Sequence, residues 1–314
     1  MRTHLVREVS FLGVIAGMLV GVVLSARPLS ADSFDWRNVN GANWNTPVQN
    51  QNGGTCWVFS GVASFEARYK LTRNDPTFDF ECSEQQVEWG CGPTQWGGWG
   101  DGSVFYSVTN GLVSATECPI DPNPDYWLSP GPTSLWPLAA GWQNRMLIGA
   151  NTTVITTTTP NTIQGASQIV CTTQNIKNML KMYGPMMTAV LSTNDLYNSP
   201  ADILANYRPP LAGVDHAVAV EGYQDDASLP SGGYWIIKNS WGATAGDGTG
   251  YYDVPYGDLE IHGDIVAINT AVYYTGAMAT VTWGGGTGTW SLGGGNWSGS
   301  DQYGNALPTY AWEN

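Results

Sequence analysis

The chain has 314 residues, only 12% of them charged, and a formal net charge of −14 at pH 7. Such acidity argues against nucleic acids and anionic membranes as partners, because both attract basic protein surface. With 15 tryptophans and 39 glycines, the composition is typical of a rigid, loop-rich protein. The length is enough for one large core or for two smaller lobes with a cleft between them.

The first 31 residues have the pattern of an export signal. Arg2 and Arg7 precede an uncharged run from residue 11 to residue 24, which is shorter than the roughly 20 residues that span a bilayer. The sequence Leu-Ser-Ala at 29–31 offers a cleavage site before Asp32. An uncleaved membrane anchor is the alternative. We predict a signal peptide over residues 1–31 and a secreted, cell-surface or periplasmic protein that is not inserted in a membrane after cleavage.

Apolar spacing and capping signals predict helices in the first part of the chain. Between residues 56 and 73, apolar side chains recur at spacings of four, three and four, which places them on one helix face; they are Val58, Val62, Phe65 and Tyr69. Thr55 is the predicted N-cap. A second, short helix is predicted over residues 83–88, with Ser83 and Gln86 as a capping box, and a third over residues 176–183. Residues 92–100, rich in glycine and tryptophan, are predicted to form an irregular loop.

Short runs rich in Val, Ile, Tyr and Trp follow, at residues 186–191, 216–223, 234–241 and 250–254. Turn residues separate these runs, so we predict strands. Helices first and strands second indicate an α+β protein of two lobes. The threonine-rich run 151–162 is predicted to be an exposed loop or an edge strand.

The C-terminal residues have a different composition. The stretch 281–300 contains eight glycines and three tryptophans. A flexible linker is the alternative, but linkers seldom carry tryptophan. We predict strand–turn units in an extension that docks on the rest of the chain, binds a surface partner or belongs to a longer array.

Five cysteines in an exported protein are an odd number, which indicates at least one unpaired thiol. Cys56 stands at the predicted start of the first helix, where the positive end of the helix dipole favours a thiolate. With Cys56 unpaired, the other four can form two disulfides in any of three connectivities; they are Cys82, Cys91, Cys118 and Cys171. Cys82 occupies an apolar position, so a buried thiol is the alternative there.

A thiolate nucleophile needs a proton donor for the leaving group, and histidine is the usual one. Of the three histidines, His4 belongs to the signal peptide, and His262 lies among charged and turn residues and is predicted at the surface. His216 begins an apolar strand and is the candidate acid–base. Asn239 fits the role of orienting the imidazole, and Trp241 would shield that hydrogen bond from water.

Gln51 precedes Cys56, His216 and Asn239 along the chain, and each of the four lies within a longer sequence motif. The stretch TPVQNQNGGTCWVFSGVASFEARY resembles the active-site helix of the papain-like cysteine peptidases, and CSEQQ resembles their second-helix motif. VDHAVAVEGY and YWIIKNSWG are similar to their histidine and asparagine motifs, and FDWRNVNG to the start of their mature domain. The resemblance covers residues 34–276, so we predict a peptidase domain over 32–276 and an extension over 277–314.

The resemblance implies a two-lobed fold, with an N-terminal, mainly helical lobe, a C-terminal β-barrel-like lobe and the active site in the cleft between them. Cys56 is then the nucleophile, His216 the acid–base, Asn239 the orienting residue and Gln51 the oxyanion donor. Paired glycines would bind the substrate backbone, and small or apolar residues would line a hydrophobic pocket for the second residue before the cleaved bond. The substrate-binding residues implied are Gly97, Gly98, Gly100, Ala189, Val214, Ala217 and Trp241.

The chain departs from the family pattern at the oxyanion loop. Gly53 and Gln95 stand where the family has the two cysteines of a disulfide, and the loop from Gln51 to Cys56 is one residue shorter. The extension weakly resembles the Gly/Trp-rich strand repeats of autotransporter-like surface proteins.

These residues predict an exported cysteine endopeptidase that hydrolyses polypeptides through a thioester acyl-enzyme, without a metal or a cofactor. Two alternatives remain open. A papain-like scaffold that has lost its activity would serve as a surface adhesin through its tryptophan-rich loops and extension. A transacylase would pass the same thioester to an amine faster than to water.

Overall fold

The computed structural model describes residues 31–91, 97–120, 146–148, 152–156, 167–263, 265–268, 273–274, 280–283, 289–300 and 310–313. All but the last residue of the predicted signal peptide lies outside them. In the described part of the chain, no helix is both long and apolar enough to cross a membrane.

The described helices are α1 (Cys56–Arg73), α2 (Glu84–Gly90), α3 (Gly100–Asn110), α4 (Thr173–Tyr183), α5 (Ser192–Asp195), α6 (Pro200–Asn206) and α7 (Asp258–His262). The described strands are β1 (Ser33–Asp35), β2 (Leu147–Ile148), β3 (Thr152–Thr156), β4 (Ser167–Val170), β5 (Met186–Val190), β6 (His216–Asp225), β7 (Gly233–Lys238), β8 (Tyr251–Pro255), β9 (Ile265–Ile268), β10 (Tyr273–Tyr274), β11 (Thr280–Trp283), β12 (Thr289–Ser300) and β13 (Tyr310–Glu313).

The helical lobe is built around α1, which has the predicted bounds and is buried along most of its length. The predicted apolar face is buried, and so are Trp57 and Phe59 outside it. Gly61 lets α3 approach closely, because a Cβ at this position would lie 1.8 Å from Oγ of Ser103. α1 is therefore the central helix of this lobe.

The second lobe is built on a sheet that has eight strands within the described residues. Its order is β4-β3-β9-β5-β6-β7-β8, and β1 pairs with β6. β6 pairs antiparallel with both β5 and β7, which places the first residue of β6, His216, opposite Val190. Trp36 ties the N-terminal segment to this lobe, since its indole N–H donates to the carbonyl of Leu180 at 3.0 Å.

The two lobes share one hydrophobic cluster. Trp57 and Phe65 of α1 lie in it with Met187 of β5 and Ala217 of β6, and Cys56 packs against its edge. The start of α1 is thus held beside the start of β6. The chain has the two-lobed α+β fold that the resemblance implies.

One predicted element is wrong, and a second is confirmed only in part. Of the irregular loop predicted over 92–100, residues 97–99 are irregular and Gly100 begins α3, which packs against α1. Residues 92–96 lie outside the described part. The run 152–156 is predicted as a loop or an edge strand, but β3 pairs with β4 on one side and with β9 on the other. Its second neighbour comes from far along the chain, which no local pattern reveals. Residues 157–162 of that run lie outside the described part.

Two capping predictions are correct only in part. Thr55 occupies the N-cap position of α1, but its hydroxyl donates to the carbonyl of Asn52 at 2.8 Å and accepts nothing from the helix. Ser83 accepts from the N–H of Gln86 at 3.0 Å as a capping residue does. The Gln86 side chain does not return to the N-cap, because it binds the backbone of Gly111.

The C-terminal residues contain strands, as predicted. β11, β12 and β13 form an antiparallel sheet of their own in the order β11-β12-β13. Its register pairs Thr280 with Ser300 and Thr289 with Glu313. The division between a domain at 32–276 and an extension at 277–314 stays a prediction.

Candidate active site

Cys56 is the first residue of α1, so it stands at the positive end of the helix dipole. The Thr55 side chain does not cap the helix. The backbone N–H groups of Ala217, Trp57 and Cys56 oppose the rise in the pKa of the Cys56 thiol, which places that thiol beside the residue that follows His216. The two predicted catalytic side chains are thus carried on adjoining ends of α1 and β6.

His216 is oriented as the sequence predicts. Its Nε2 lies 2.7 Å from Oδ1 of Asn239, and the N–H of Ser240 donates to the same oxygen at 2.7 Å. This second bond fixes the amide with its oxygen towards the imidazole, so Nε2 carries the proton. Nδ1 is then the unprotonated ring nitrogen, which can accept a proton from Cys56. Trp241 stacks on the ring at 4.7 Å between centroids and shields it from solvent.

Burial acts on both groups of the candidate pair. It raises the pKa of the Cys56 thiol, an effect that the backbone N–H groups of Ala217 and Trp57 oppose. It lowers the pKa of His216, which the hydrogen bond to Asn239 and the charge of Asp215 oppose. Each charge alone is therefore disfavoured, whereas a thiolate and an imidazolium formed together attract each other. Transfer of the thiol proton to the imidazole creates both charges at once.

Gln51 is held at the site without the disulfide that the family usually has. Its backbone N–H donates to the carbonyl of Ser240 at 2.7 Å, and its Oε1 accepts from the Ser240 hydroxyl at 2.7 Å. The carbonyl of Gln49 accepts from the N–H of Gly242 at 3.0 Å. The Gln51 amide N–H donates to the carbonyl of Gly53 at 2.8 Å. Gln95 lies outside the described residues.

The predicted paired glycines lie against the active-site helix. Gly97 has φ +119, which glycine adopts without strain. Gly98 lies on the indole of Trp57, since a Cβ there would be 2.5 Å from the ring. Their backbone therefore runs beside the residue that follows Cys56.

The residues predicted for the hydrophobic pocket lie on α3, on β5, on β6 and in the loop before β6. Gly100 touches Met187, because a Cβ at Gly100 would lie 2.4 Å from the Met187 sulfur. Ala189 on β5 pairs with Ala217 on β6. Val214 is half-buried in the loop that leads to β6. Their role as a pocket stays a prediction.

The prediction that His262 is a surface residue is wrong. Its side chain is 1% exposed and lies 2.8 Å from the carboxylate of Asp195, which is fully buried. The local sequence LEIHGD is polar and gives no sign of this, because Asp195 comes from the turn after β5.

The predicted disulfides are not confirmed. No disulfide joins the five cysteines, all of which the structure describes. Cys82 and Cys118 are buried and Cys91 is exposed. Cys171 packs against the core of the sheet lobe and its thiol donates to the carbonyl of Leu259, whereas Cys82 lies in the cluster that surrounds α1. The alternative of a buried thiol at Cys82 is the one that the structure has.

A buried set of charged groups beneath the site was missed by the sequence reading. Glu66 of α1 accepts from the Thr46 hydroxyl at 2.6 Å and from the N–H of Cys82 at 2.6 Å. Burial raises the pKa of Glu66 to about 7 and that of Glu84 to about 8. Lys238, also buried, donates to the Thr46 hydroxyl at 3.0 Å. The signal available was a glutamate next to Phe65 of the predicted apolar face.

These groups border a small cavity under the catalytic residues. Its volume is about 20 Å³, and about 10–15 Å³ is enough for one water molecule. It is lined by Glu66, Glu84, Lys238 and Asn239, among others. The cavity thus lies between the buried charged groups and Asn239, the hydrogen-bond partner of His216.

The site thus combines a thiol at the start of a helix with an imidazole held by an amide. Comparison with known proteins identifies the family of the chain. Residues 30–274 match the papain family of cysteine proteases. The chain therefore belongs to the papain family of cysteine proteases.

Relatives with curated descriptions lie in the same family. The viral cathepsin of Cydia pomonella granulosis virus (isolate Mexico/1963) is 30% identical over 246 residues, which cover 74% of this chain and 60% of the relative. Ananain of Ananas comosus is 27% identical over 225 residues, which cover 69% of this chain and 53% of ananain. The chain spans 58%, 60% and 57% of the lengths of three viral cathepsins that it matches.

Solved structures show the same fold. The digestive procathepsin L2 proteinase from the larval midgut of Tenebrio molitor has a TM-score of 0.52 at 23% identity, covering 76% of this chain and 67% of its own. The clostridial cysteine protease Cwp84 after propeptide cleavage has a TM-score of 0.56 at 17% identity, covering 83% of this chain and 63% of its own.

Proposed function

We propose that the chain is an exported cysteine endopeptidase that hydrolyses polypeptides through a thioester on Cys56. The observation that carries the proposal is the hydrogen bond between His216 and Asn239 under Trp241, beside a thiol at the start of α1. The amide oxygen keeps the Nε2 proton in place, so Nδ1 accepts the thiol proton. The pair then has a nucleophile and a proton donor.

Acylation uses the groups on both sides of the cleft. The Cys56 sulfur attacks the peptide carbonyl, and the carbonyl oxygen becomes an oxyanion. The Gln51 side-chain amide and the backbone N–H of Cys56 donate to that oxygen. The imidazolium of His216 then protonates the leaving amine as the C–N bond breaks.

Deacylation returns the enzyme to its starting state. His216, now neutral, takes a proton from water, and the hydroxide adds to the thioester carbonyl. The C–S bond breaks, the peptide acid leaves, and the sulfur again shares its proton with His216. The position of Gln51 supports this reading over an inactive scaffold, since the oxyanion donor is held by hydrogen bonds to Ser240.

The substrate backbone would lie along Gly97 and Gly98, next to the Trp57 indole. The second side chain before the cleaved bond would enter the pocket at Gly100, Ala189, Val214 and Ala217, with Met187 as its floor. Apolar lining favours leucine, phenylalanine or tyrosine there. A measured preference for a charged residue at that position would contradict this assignment.

The domain limits and export belong to the same proposal. Cleavage before Asp32 would leave β1 as the first element of the peptidase domain, at residues 32–276, and residues 277–314 as an extension with a surface partner. The test is the intact mass of the protein secreted by an expressing cell. A mass starting at Asp32 supports export by a cleaved signal, and retention of residues 1–31 contradicts it.

The activity is tested by incubating the purified mature protein with an unfolded protein substrate and identifying the fragments by mass spectrometry. Internal cleavage by wild type, abolished in Cys56→Ala, supports an endopeptidase. Removal of terminal residues alone contradicts endo-action. If an added amine reacts with the thioester faster than water does, so that most new C-termini carry the amine, the chain is a transacylase. No turnover and no labelling of Cys56 would support the adhesin instead.

A further inference from the structure

His262 is a second buried histidine that the proposed reaction does not use. Its Nε2 lies 2.8 Å from Oδ2 of Asp195, and both side chains are almost fully buried. A carboxylate only accepts hydrogen bonds, so the imidazole is the donor. A buried bond to a charged group is costly to leave unmade. The position of Asp195 is therefore tied to that of His262.

The carboxylate of Asp195 closes the turn that follows β5. Its Oδ2 also accepts from the N–H of Leu191 at 2.6 Å, and its Oδ1 accepts from the Asn194 side chain at 3.1 Å. The carbonyl of Leu191 in turn accepts from the N–H groups of Asn194 and Asp195 at 2.8 and 2.9 Å. Residues 191–195 are thus organised around one carboxylate.

The same turn holds Asp215, the residue before His216. The N–H of Ser192 donates to Oδ1 of Asp215 at 2.7 Å, and the Ser192 hydroxyl donates to Oδ2 at 3.1 Å. The N–H of Asp215 donates to the carbonyl of Val190 at 3.1 Å. Three hydrogen bonds from residues 190–192 therefore fix the position of the Asp215 charge.

That charge acts on both members of the catalytic pair. Burial lowers the pKa of His216, and Asp215 opposes this shift. Burial raises the pKa of Cys56, and Asp215 adds to this rise. Displacing the Asp215 carboxylate would therefore move both titrations to lower pH.

We propose that His262 is a positioning residue for the catalytic pair: through Asp195 it fixes the turn 191–195, and that turn fixes Asp215 beside His216. The inference rests on the proposed function, since it assigns His262 a part in that reaction. His262 does not touch the substrate or the reacting atoms.

Other titratable and charged groups surround the His262–Asp195 bond. Burial raises the pKa of Asp258 to about 8, with the charges of Asp195 and Glu260 adding to the rise and Arg208 opposing it. Asp258 is thus mainly protonated at neutral pH. Arg208 donates to the carbonyl of Asn194 at 2.8 Å, so it braces the same turn from the loop after α6.

The test compares pH profiles of His262→Leu, His262→Asn and Asp215→Asn. Each is measured as kcat/KM for a peptide substrate and as the rate at which iodoacetamide alkylates Cys56. Neither His262 variant keeps a donor at the Nε2 position, and the asparagine variant keeps a polar group in case leucine prevents folding. We expect both limbs of the kcat/KM profile to move to lower pH, by up to about one unit, or about tenfold in rate on the alkaline limb.

Two controls separate positioning from general loosening of α7. His262→Gln keeps an amide donor within reach of Asp195 and should restore the wild-type profile. Thr173→Val removes another hydrogen bond to α7, the one to Glu260 at 2.7 Å, and should leave the profile unchanged. The double variant His262→Asn with Asp215→Asn should show the profile of Asp215→Asn alone, because both changes act through one carboxylate.

Several results would overturn the proposal. These are an unshifted profile in the folded His262 variants, an equal shift in Thr173→Val, or additive shifts in the double variant. If wild type is alkylated at acid pH but hydrolyses no peptide, the proposed function fails while the alkylation profiles still decide the role of His262. If wild type is not alkylated at acid pH, there is no charged pair to position and both proposals fail.

Discussion

The two buried histidines make nearly the same hydrogen bond in different surroundings. Nε2 of His216 lies 2.7 Å from an amide oxygen, and Nε2 of His262 lies 2.8 Å from a carboxylate oxygen. The thiol of Cys56 lies beside the residue that follows His216, whereas within the described residues Nδ1 of His262 has no hydrogen-bond partner. Burial and an oriented ring are thus common to both. In the proposed reaction the second nitrogen of His216 accepts the Cys56 proton, a role that we do not assign to His262.

The partner of Nε2 also differs in charge. The carboxylate of Asp195 gives His262 a buried hydrogen-bond partner, which suits a permanent brace. The Asn239 amide orients His216 without adding a charge, so both protonation states stay accessible during the reaction. A proton relay needs that freedom.

Removing the Cys56 thiol should have the largest effect on activity. Cys56→Ala should lower kcat/KM by about 10⁴-fold or more, because the nucleophile is lost. Peptide hydrolysis measured with the purified variant checks this. Cys91→Ala is the matched control, since its thiol is exposed outside the site, and it should keep wild-type activity. Substantial hydrolysis by Cys56→Ala would mean that another residue is the nucleophile.

Replacing His216 and His262 one at a time tests which of them affects the reactivity of the Cys56 thiol. In His216→Ala the thiol should behave as an ordinary one, with a pKa near 8.5, so alkylation of Cys56 at pH 5 should fall by about 10³-fold. Mass spectrometry of the labelled protein gives the rate. His262→Gln should label as wild type does. Equal labelling of His216→Ala and wild type would refute the thiolate–imidazolium pair.

Gln51, the proposed oxyanion donor, acts on the substrate and not on the Cys56 thiol, so replacing it separates turnover from thiol reactivity. Gln51→Ala should lower kcat by about 10²-fold, the usual effect of removing one oxyanion donor. Alkylation of Cys56 should not change. Asn52→Ala, next to it in the loop, serves as the control. A loss of alkylation in Gln51→Ala would show that the loop shapes the thiol itself.

The smallest expected effect concerns the buried carboxylates beneath the site. Burial raises the pKa of Glu66 to about 7 and that of Glu84 to about 8, above the ordinary value of about 4.3 for glutamate. The folded state then binds more protons than the unfolded state between these values, so the free energy of unfolding should be highest in acid and fall as pH rises to 8. The expected fall is about 2 kcal/mol or more.

Thermal or urea unfolding at intervals from pH 4.5 to pH 8.5 measures this dependence. Glu84→Gln should flatten it, because the amide does not titrate. Glu117→Gln, at a half-buried position of the same lobe, is the control and should leave the dependence unchanged. A stability that rises over this range would contradict the buried, protonated carboxylates.

The chemistry-bearing residues could be predicted from the sequence because each sits in a distinctive phrase at an element boundary. Cys56 opens a helix whose apolar spacing is clear, and His216 opens a strand after a turn. Asn239 follows the last residue of β7. Cys56 and His216 begin their elements where the sequence predicts, whereas Asn239 was predicted within a strand and lies just beyond its end.

The features that were missed depend on contacts between distant parts of the chain. α3 has the glycines of a loop, and it is a helix because Ser103 packs on Gly61. β3 reads as an edge strand because β9 joins it only in the folded chain. His262 is predicted at the surface because its partner Asp195 lies far from it in the sequence. Tertiary partners override local propensity in each case.

The ties that hold Gln51 contain no sulfur. They are hydrogen bonds to Ser240 and from Gly242 to Gln49, and no disulfide joins any of the five cysteines, all of them described. A thiol enzyme is silenced by mild oxidants and revived by reductants. A reductant that restores the Cys56 thiol would therefore leave the hydrogen bonds that hold Gln51 in place.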